Sequence, residues 1–161
     1  MKLILILLLF KSSVCFAVFD FGVGTSSVTA GRAIPSLALE AGSDSWGLLY
    51  RSEGVRTTIY SQNAWTLAGY KTAHTEKVGD ITASIRAGLG ATYLVRGYRS
   101  SPTAKTETET EHVIGPHLSV KFQYGAIFFG LDTLLGLTKD ITQHLALNFQ
   151  DVSHLTFGIT L

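Results

Sequence analysis

The 161-residue sequence predicts an all-β protein, folded as an antiparallel up-and-down transmembrane β-barrel of eight strands. Three observations predict this class. Apolar residues alternate with small or polar ones along most of the chain, no segment shows the period of about 3.6 residues that marks a helix, and an export signal precedes the first alternating segment. Alternation indicates strands because successive side chains of a strand point to opposite faces.

The N-terminus has the features of a secretory signal peptide. Lys2 supplies the positive charge, residues 3–10 form an apolar run, and the small residues that signal peptidase requires end at Ala17. The apolar run is too short to span a bilayer as a helix, which needs about 20 residues. We therefore expect a signal peptide at residues 1–17 and a barrel domain at residues 18–161.

Composition excludes two function classes for the exported chain. Cleavage would remove Lys2 and Lys11, so that 13 basic residues become 11 against 12 acidic ones, and the net charge changes from +1 to −1. A chain with this balance has no basic field that would attract nucleic acid. The single cysteine, Cys15, leaves with the signal peptide, so neither a disulfide nor thiol chemistry is expected.

Turn residues divide the alternating sequence into predicted strands. The first four correspond to VFDFGVG, PSLALEA, WGLLY and a less regular stretch. The turn signal GSDS precedes the third strand, and HTEKVG follows the fourth. The pattern slips in residues 52–64, and NFQDVS at 148–153 could form a turn, so nine or ten strands remain the alternative to eight. The expected bounds are 17–28, 33–42, 45–60, 63–73, 79–99, 111–124, 126–138 and 142–161.

The later strands show the longest alternation. ITASIRAGLGATYLV at 81–95 and IGPHLSVKFQY at 114–124 each place an apolar residue at almost every second position, and HLTFGITL at 154–161 continues the pattern to the last residue. If Tyr124 and Gly125 form a hairpin turn, His117 lies opposite Asp132. The polar segment SSPTAKTETET at 100–110 is expected to be a long solvated loop.

The small face of the strands indicates which side of the barrel meets lipid. A soluble lipocalin-like barrel, the competing fold, would carry many charges on that face, but here it is mainly Gly, Ala, Ser and Thr. Small residues suit the crowded interior of a narrow barrel, so we expect the apolar face outside and a lumen filled by side chains, in which Gly158 would tolerate serine. The few charged residues of the small face and one histidine should pair in a lumen network: Asp20, Glu40, Arg51, Arg86, His117, Lys121 and Asp132.

The signal peptide, the eight amphipathic strands and the alternating terminal strand resemble the small bacterial outer-membrane β-barrels of the OmpA-transmembrane-domain and OmpX-like class. The resemblance implies a monomer in the bacterial cell outer membrane, in contact with outer-membrane lipid and lipopolysaccharide, with residues 100–110 outside the cell. In that class the last strand is read by the barrel-assembly machinery and typically ends in an aromatic residue, in place of which this chain has Leu161. The implied assembly signal consists of Leu155, Phe157, Ile159 and Leu161.

No catalytic, cofactor-binding or metal-binding site is predicted. His117 and Asp132 could form an imidazole–carboxylate pair with Ser119 nearby, and outer-membrane lipid deacylases of this fold use Ser, His and an acidic residue. Those enzymes place the catalytic group on the lipid-facing surface, whereas this pair would lie in the lumen. The sequence therefore predicts a protein that is not an enzyme and has a structural or surface-interaction role. The alternatives are a narrow pore for small or hydrophobic solutes and a lipid-modifying enzyme.

Overall fold

A computed structural model of the protein describes residues 18–28, 33–138 and 149–161, so the predicted signal peptide lies outside the described residues. Within these ranges the chain forms eight antiparallel strands, each paired with the next, and the last pairs with the first to close the barrel. The predicted fold class is confirmed. The described ranges contain no helix long and apolar enough to cross a membrane. The strands are β1 (Val18–Val28), β2 (Ala33–Gly42), β3 (Trp46–Arg56), β4 (Tyr60–Val78), β5 (Ile81–Tyr98), β6 (Glu107–Tyr124), β7 (Ile127–Thr138) and β8 (Phe149–Thr160).

The two ends of the barrel differ in their connections. At one end, residues 43–45, 79–80 and 125–126 make short connections, and Leu161 ends the chain there. We call this the turn end. The described connections at the opposite end, which we call the loop end, are residues 57–59 and 99–106.

The irregular stretch at 52–64 proves to be a short connection between two regular strands. β3 ends at Arg56 and not at residue 60, and β4 begins at Tyr60 and not at residue 63. A backbone hydrogen bond closes the connection, because the Thr57 amide donates to the Tyr60 carbonyl oxygen at 2.6 Å. The stretch at 148–153 is also not a turn in its described part, since β8 runs from Phe149.

Two strands extend further than the sequence predicts because they continue beyond their apolar portions. β4 runs to Val78 through HTEKV, which was expected to be a connection, with a register shift between Thr72 and His74. β6 begins at Glu107 and not at residue 111, so most of the TETETE run is strand and not loop. Hydrophobic alternation marks a strand only where one face meets an apolar environment, whereas backbone ladder bonds continue without it.

The hairpin between β6 and β7 turns one residue later than predicted. Gly125 and Ala126 occupy the turn, and Tyr124 pairs with Ile127. Gly125 has a φ of 56°, a left-handed conformation that glycine adopts readily, and the turn therefore begins at this residue. The shift moves the pairing by two residues, so that Asp132 lies opposite Ser119 and not opposite His117. A shift of two leaves every side chain on its predicted face.

Most large apolar side chains face outward, and the charged side chains of the predicted network face the lumen. Leu89 and Phe157 are 71% and 57% exposed, whereas Asp20 and Arg51 are 1% and 2% exposed. This is the reverse of the arrangement in a soluble barrel, whose apolar face would be the buried one. Two small apolar clusters also lie within the lumen. One contains Ala64, Leu94, Val113 and Leu134, and the other contains Ala38, Leu49, Ala68 and Tyr70.

Candidate functional site in the barrel lumen

The alternation of the strands directs all seven residues of the predicted network into the lumen, where six of them form three ion pairs. Each pair joins strands that are distant in sequence, as between Arg51 on β3 and Asp132 on β7. The contacts form two layers. The central layer contains Arg51, Glu53, His117, Asp132, His154 and Thr156, and the turn-side layer contains Asp20, Glu40, Tyr70, Arg86, Lys121 and Thr160.

A bidentate ion pair organises the central layer. Arg51 donates from Nη1 to Asp132 Oδ1 at 2.5 Å and from Nη2 to Asp132 Oδ2 at 2.7 Å. Nη2 also donates to Thr156 Oγ1 at 2.9 Å. The paired guanidinium and carboxylate side chains are only 2% and 8% exposed. A buried pair of this kind needs both charges compensated, and the two parallel bonds of the guanidinium pair the charges, while Arg51 Nε is buried without a described partner.

Two imidazoles surround the same carboxylate. His117 Nε2 lies 3.4 Å from Asp132 Oδ1, and His154 Nδ1 lies 3.5 Å from the same oxygen. His154 Nε2 is 3.0 Å from Glu53 Oε2, so this ring lies between two buried carboxylates. Glu53 and His154 are not among the lumen residues predicted from the sequence. Both residues occupy strand positions that face the lumen by alternation, as Glu53 lies two residues after Arg51. This alternation was the signal that could have identified them.

The turn-side layer balances two acidic against two basic side chains. Glu40 Oε1 accepts from Arg86 Nη1 at 2.8 Å and from the Tyr70 hydroxyl at 2.5 Å. Lys121 forms a close ion pair with Asp20, and its Nζ lies 3.9 Å from Glu40 Oε1. This layer therefore has no net formal charge. Asp20 also accepts a hydrogen bond from Thr160 Oγ1 at 2.5 Å.

An aromatic ring lies beside Lys121, and two glycines leave room for that ring. Its Nζ lies 4.6 Å from the centroid of the Phe128 ring, a cation–π distance. Gly22 and Gly158 face each other across β1 and β8, and Phe128 pairs with Gly158 from β7. A Cβ added at Gly158 would overlap the backbone of β1 and contact the Phe128 ring. The expectation that Gly158 tolerates serine is therefore wrong, because this position needs close backbone approach and not only a polar environment.

Side chains fill most of the lumen between the layers. A cavity of about 20 Å³, lined by residues of both layers, has room for about one water molecule. A wider space of about 440 Å³ opens at the turn end and reaches inward to Glu40, Arg86 and Lys121. On the other side of the central layer, Leu94 and Leu134 are each 1% exposed. The central layer and this apolar cluster therefore close the described lumen.

The described residues do not bring a serine, a histidine and a carboxylate together in hydrogen-bonded order. Ser119 lies opposite Asp132, but among the described residues no hydrogen bond joins its hydroxyl to His117. A serine nucleophile requires a base within hydrogen-bond reach and a route for the substrate. The described residues also contain no group of three or more potential ligands arranged to hold a metal ion. What the layers do chemically is pair charges and fill space.

The four residues of the predicted assembly signal lie on the outward face of the last strand and at its end. Leu161 is hydrogen-bonded to β1, since its amide donates to the Phe19 carbonyl oxygen at 2.8 Å. The remaining residues alternate with buried lumen residues such as Thr156 and Gly158. The exposures of the four side chains are 43% for Leu155, 57% for Phe157, 45% for Ile159 and 76% for Leu161.

No protein-family model and no curated protein matches the sequence. Among solved structures, the N-terminal β-barrel domain of OprF from Pseudomonas aeruginosa matches with a TM-score of 0.59 and 13% identity, covering 89% of this chain and 97% of that chain. Ail, the attachment invasion locus protein of Yersinia pestis, matches at 0.42 and 8%, covering 89% and 95%. Neisserial surface protein A matches at 0.46 and 7%, covering 89% and 94%. The likeness to the OprF domain shows that this chain has the fold of the small eight-stranded outer-membrane β-barrels.

Proposed function

We propose that this chain is a small, monomeric, integral protein of the bacterial outer membrane with a structural or surface-interaction role. The observation that carries the proposal is the inverted barrel, apolar outside and ionic inside. In water the outward apolar side chains would remain exposed to solvent, which is unfavourable, whereas in a membrane they contact lipid. A closed barrel also satisfies its backbone hydrogen bonds within the protein, as a membrane requires. The apolar outer surface supports a place in the membrane. The lumen filled by side chains argues against transport of solutes through the barrel.

The outward face of β5 has the length that a membrane requires. Between Ile81 and Tyr93 its outward residues are isoleucine, alanine, leucine and tyrosine, with no charge. At about 3.3 Å per residue and a tilt of about 45°, twelve residues span about 28 Å, near the height of about 25 Å of an outer-membrane apolar band. At the loop end, Trp65, Tyr93 and His112 form a cross-strand ladder with ring centroids 5.8 and 5.0 Å apart. At the turn end, Tyr124 pairs with Ile81. Aromatic rings at both ends of the band fit the two interfaces.

The difference between the two ends supports an orientation. Outer-membrane barrels have short periplasmic turns and longer extracellular loops. We therefore assign the turn end to the periplasm and residues 99–106 to the cell exterior. In the same proposal, residues 1–17 direct export, and the alternating residues of β8 present the assembly signal to the barrel-assembly machinery.

Planar-bilayer recording separates this role from the alternative of a narrow pore. The barrel, refolded in detergent and added to a bilayer, is expected to give no stable conductance steps, because the central layer and the apolar cluster close the part of the lumen that the structure describes. An established porin added to the same bilayer serves as the positive control. Reproducible single-channel steps from the purified wild-type protein would contradict the filled lumen and favour the pore.

A further inference from the structure

A pocket on the outer surface at the loop end is not part of the lumen network. Its volume is about 420 Å³, within the range of about 300–1,000 Å³ that is typical of small-molecule sites. It lies between the connection at 57–59 and the two ends of the connection at 99–106. Gly97 forms part of its lining, and a Cβ there would approach the side chains of Ser61 and Thr106 closely. The missing side chain keeps the pocket open.

The pocket is positively charged, and the described residues of its lining include no acidic side chain. Arg56 and Arg99 supply the charge, and hydroxyls such as that of Ser61 supply further donors. Arg99 donates from Nε to Thr106 Oγ1 at 2.7 Å and from Nη1 to a backbone carbonyl oxygen at 3.5 Å, both uncharged partners. Among the described residues, Arg56 has no hydrogen-bond or ion-pair partner. Two guanidinium groups without a carboxylate suit a phosphate, which arginine binds through paired N–H donors.

Strand alternation separates this positive surface from the glutamates of the TETETE run. Glu107 follows Thr106 directly, but it shares the lumen-facing parity of β6 with His117 and Lys121. The glutamates of this run therefore point toward the mouth of the lumen, and its threonines point toward the outer surface. Glu111, for example, forms an ion pair with Arg96, whose position in β5 also has lumen-facing parity, at 2.9 Å.

The height of the pocket places it at the level of lipid headgroups. Asn63 and Ser61 are the outward residues two and four positions beyond Trp65 on β4, and Ser61 pairs with Gly97. Four residues along a tilted strand rise about 9 Å above the aromatic ladder. Because aromatic rings of such ladders lie at the interface, the next outward positions meet polar headgroups and not acyl chains.

We propose that this pocket binds a phosphate group carried by the sugar headgroup of an outer-leaflet glycolipid. The inference rests on the proposed function, since it requires the loop end to face the outer leaflet. The phosphate would occupy the space between Arg56 and Arg99, and the hydroxyls and the Asn63 amide would contact the sugar. A free phosphate or a soluble sugar phosphate offers the same chemistry, so the experiment has to distinguish these sources.

Native mass spectrometry of the full mature barrel in detergent tests the site, with bis-phosphorylated lipid A as the probe. The double variant Arg56→Gln/Arg99→Gln is expected to bind lipid A about tenfold more weakly than wild type. The control Lys77→Glu lowers the net charge by the same two units at an exposed position next to the β4–β5 turn and should bind like wild type. Dephosphorylated lipid A should bind weakly to all three proteins.

Three results would overturn the inference. One is equal lipid A binding by the double variant and wild type, and another is equal binding of phosphorylated and dephosphorylated lipid A to wild type. The third is saturable binding of inorganic phosphate that is lost in the double variant, together with lipid A binding that the double variant retains. This result would assign the pocket to a soluble anion. Heat-modifiable migration of each variant on gels verifies that it folds, so a failed site leaves the membrane barrel itself unaffected.

Discussion

Arg51→Gln is expected to lower the free energy of unfolding by about 3–5 kcal/mol, the range for breaking a buried ion pair from one side. The Arg51 side chain is 2% exposed and supplies the bidentate partner of Asp132. Without the guanidinium, Asp132 keeps only the two longer imidazole contacts at 3.4 and 3.5 Å. Equilibrium refolding into lipid vesicles over a urea gradient measures the change, with Trp46 and Trp65 as fluorescent reporters.

The matched control for this prediction is Arg56→Gln, five residues along the same strand. Arg56 is exposed and has no described partner, so its replacement should change stability by less than about 0.5 kcal/mol. Removing both charges with Arg51→Met/Asp132→Leu should destabilise the barrel less than Arg51→Gln, because the double variant buries no uncompensated carboxylate at position 132. Equal stability of Arg51→Gln and Arg56→Gln would show that the central layer does not hold the barrel together.

Phe157→Arg is expected to impair both insertion and assembly. Phe157 is 57% exposed on the outward face of β8 and pairs with Val23 and Phe129, whose side chains are also exposed. A charge on the lipid face costs up to about 2–4 kcal/mol at the midplane and less toward the interface. Refolding yields into vesicles compare the variant with Phe157→Leu, which keeps an apolar side chain and should have a mild effect.

A second control tests whether a charge impairs refolding only within the apolar band or anywhere on the outward face. Thr108 is also exposed and lies on the outward parity of β6, but it is beyond the aromatic ladder at the loop end. Thr108→Arg would place its charge in the polar headgroup region or in water and should refold as well as wild type. If Phe157→Arg also refolds like wild type, the assignment of β8 to lipid is wrong.

The faces of the strands could be predicted from the sequence, whereas most contact partners could not. Alternation is a property of each strand alone, so the outward position of Phe157 and the inward position of Arg51 follow from local pattern. The pairing of Lys121 with Asp20 joins residues 101 positions apart and depends on every turn between them. The left-handed Gly125 shows this dependence, because a turn displaced by one residue shifted the partners across β6 and β7 by two.

Two further features could be identified only from the structure, because the hydrophobic pattern of the sequence does not determine them. Strand β4 continues to Val78 and β6 starts at Glu107 through polar sequence, where ladder hydrogen bonds and not lipid define the strand. The intolerance of a side chain at Gly158 depends on the position of Phe128 and the backbone of β1. Glu53 and His154 are different, since the alternation rule applied to every polar residue would have placed them in the lumen.

Cell fractionation combined with a heat-modifiability gel tests the central claim, that the apolar surface of this barrel meets outer-membrane lipid. We expect the chain in the outer-membrane fraction, where it should resist extraction by urea. We also expect unheated and boiled samples in detergent to migrate at different positions, because detergent alone does not unfold a closed barrel. Recovery of the chain as a soluble periplasmic protein would contradict a lipid-facing surface and favour a barrel whose outward surface meets water.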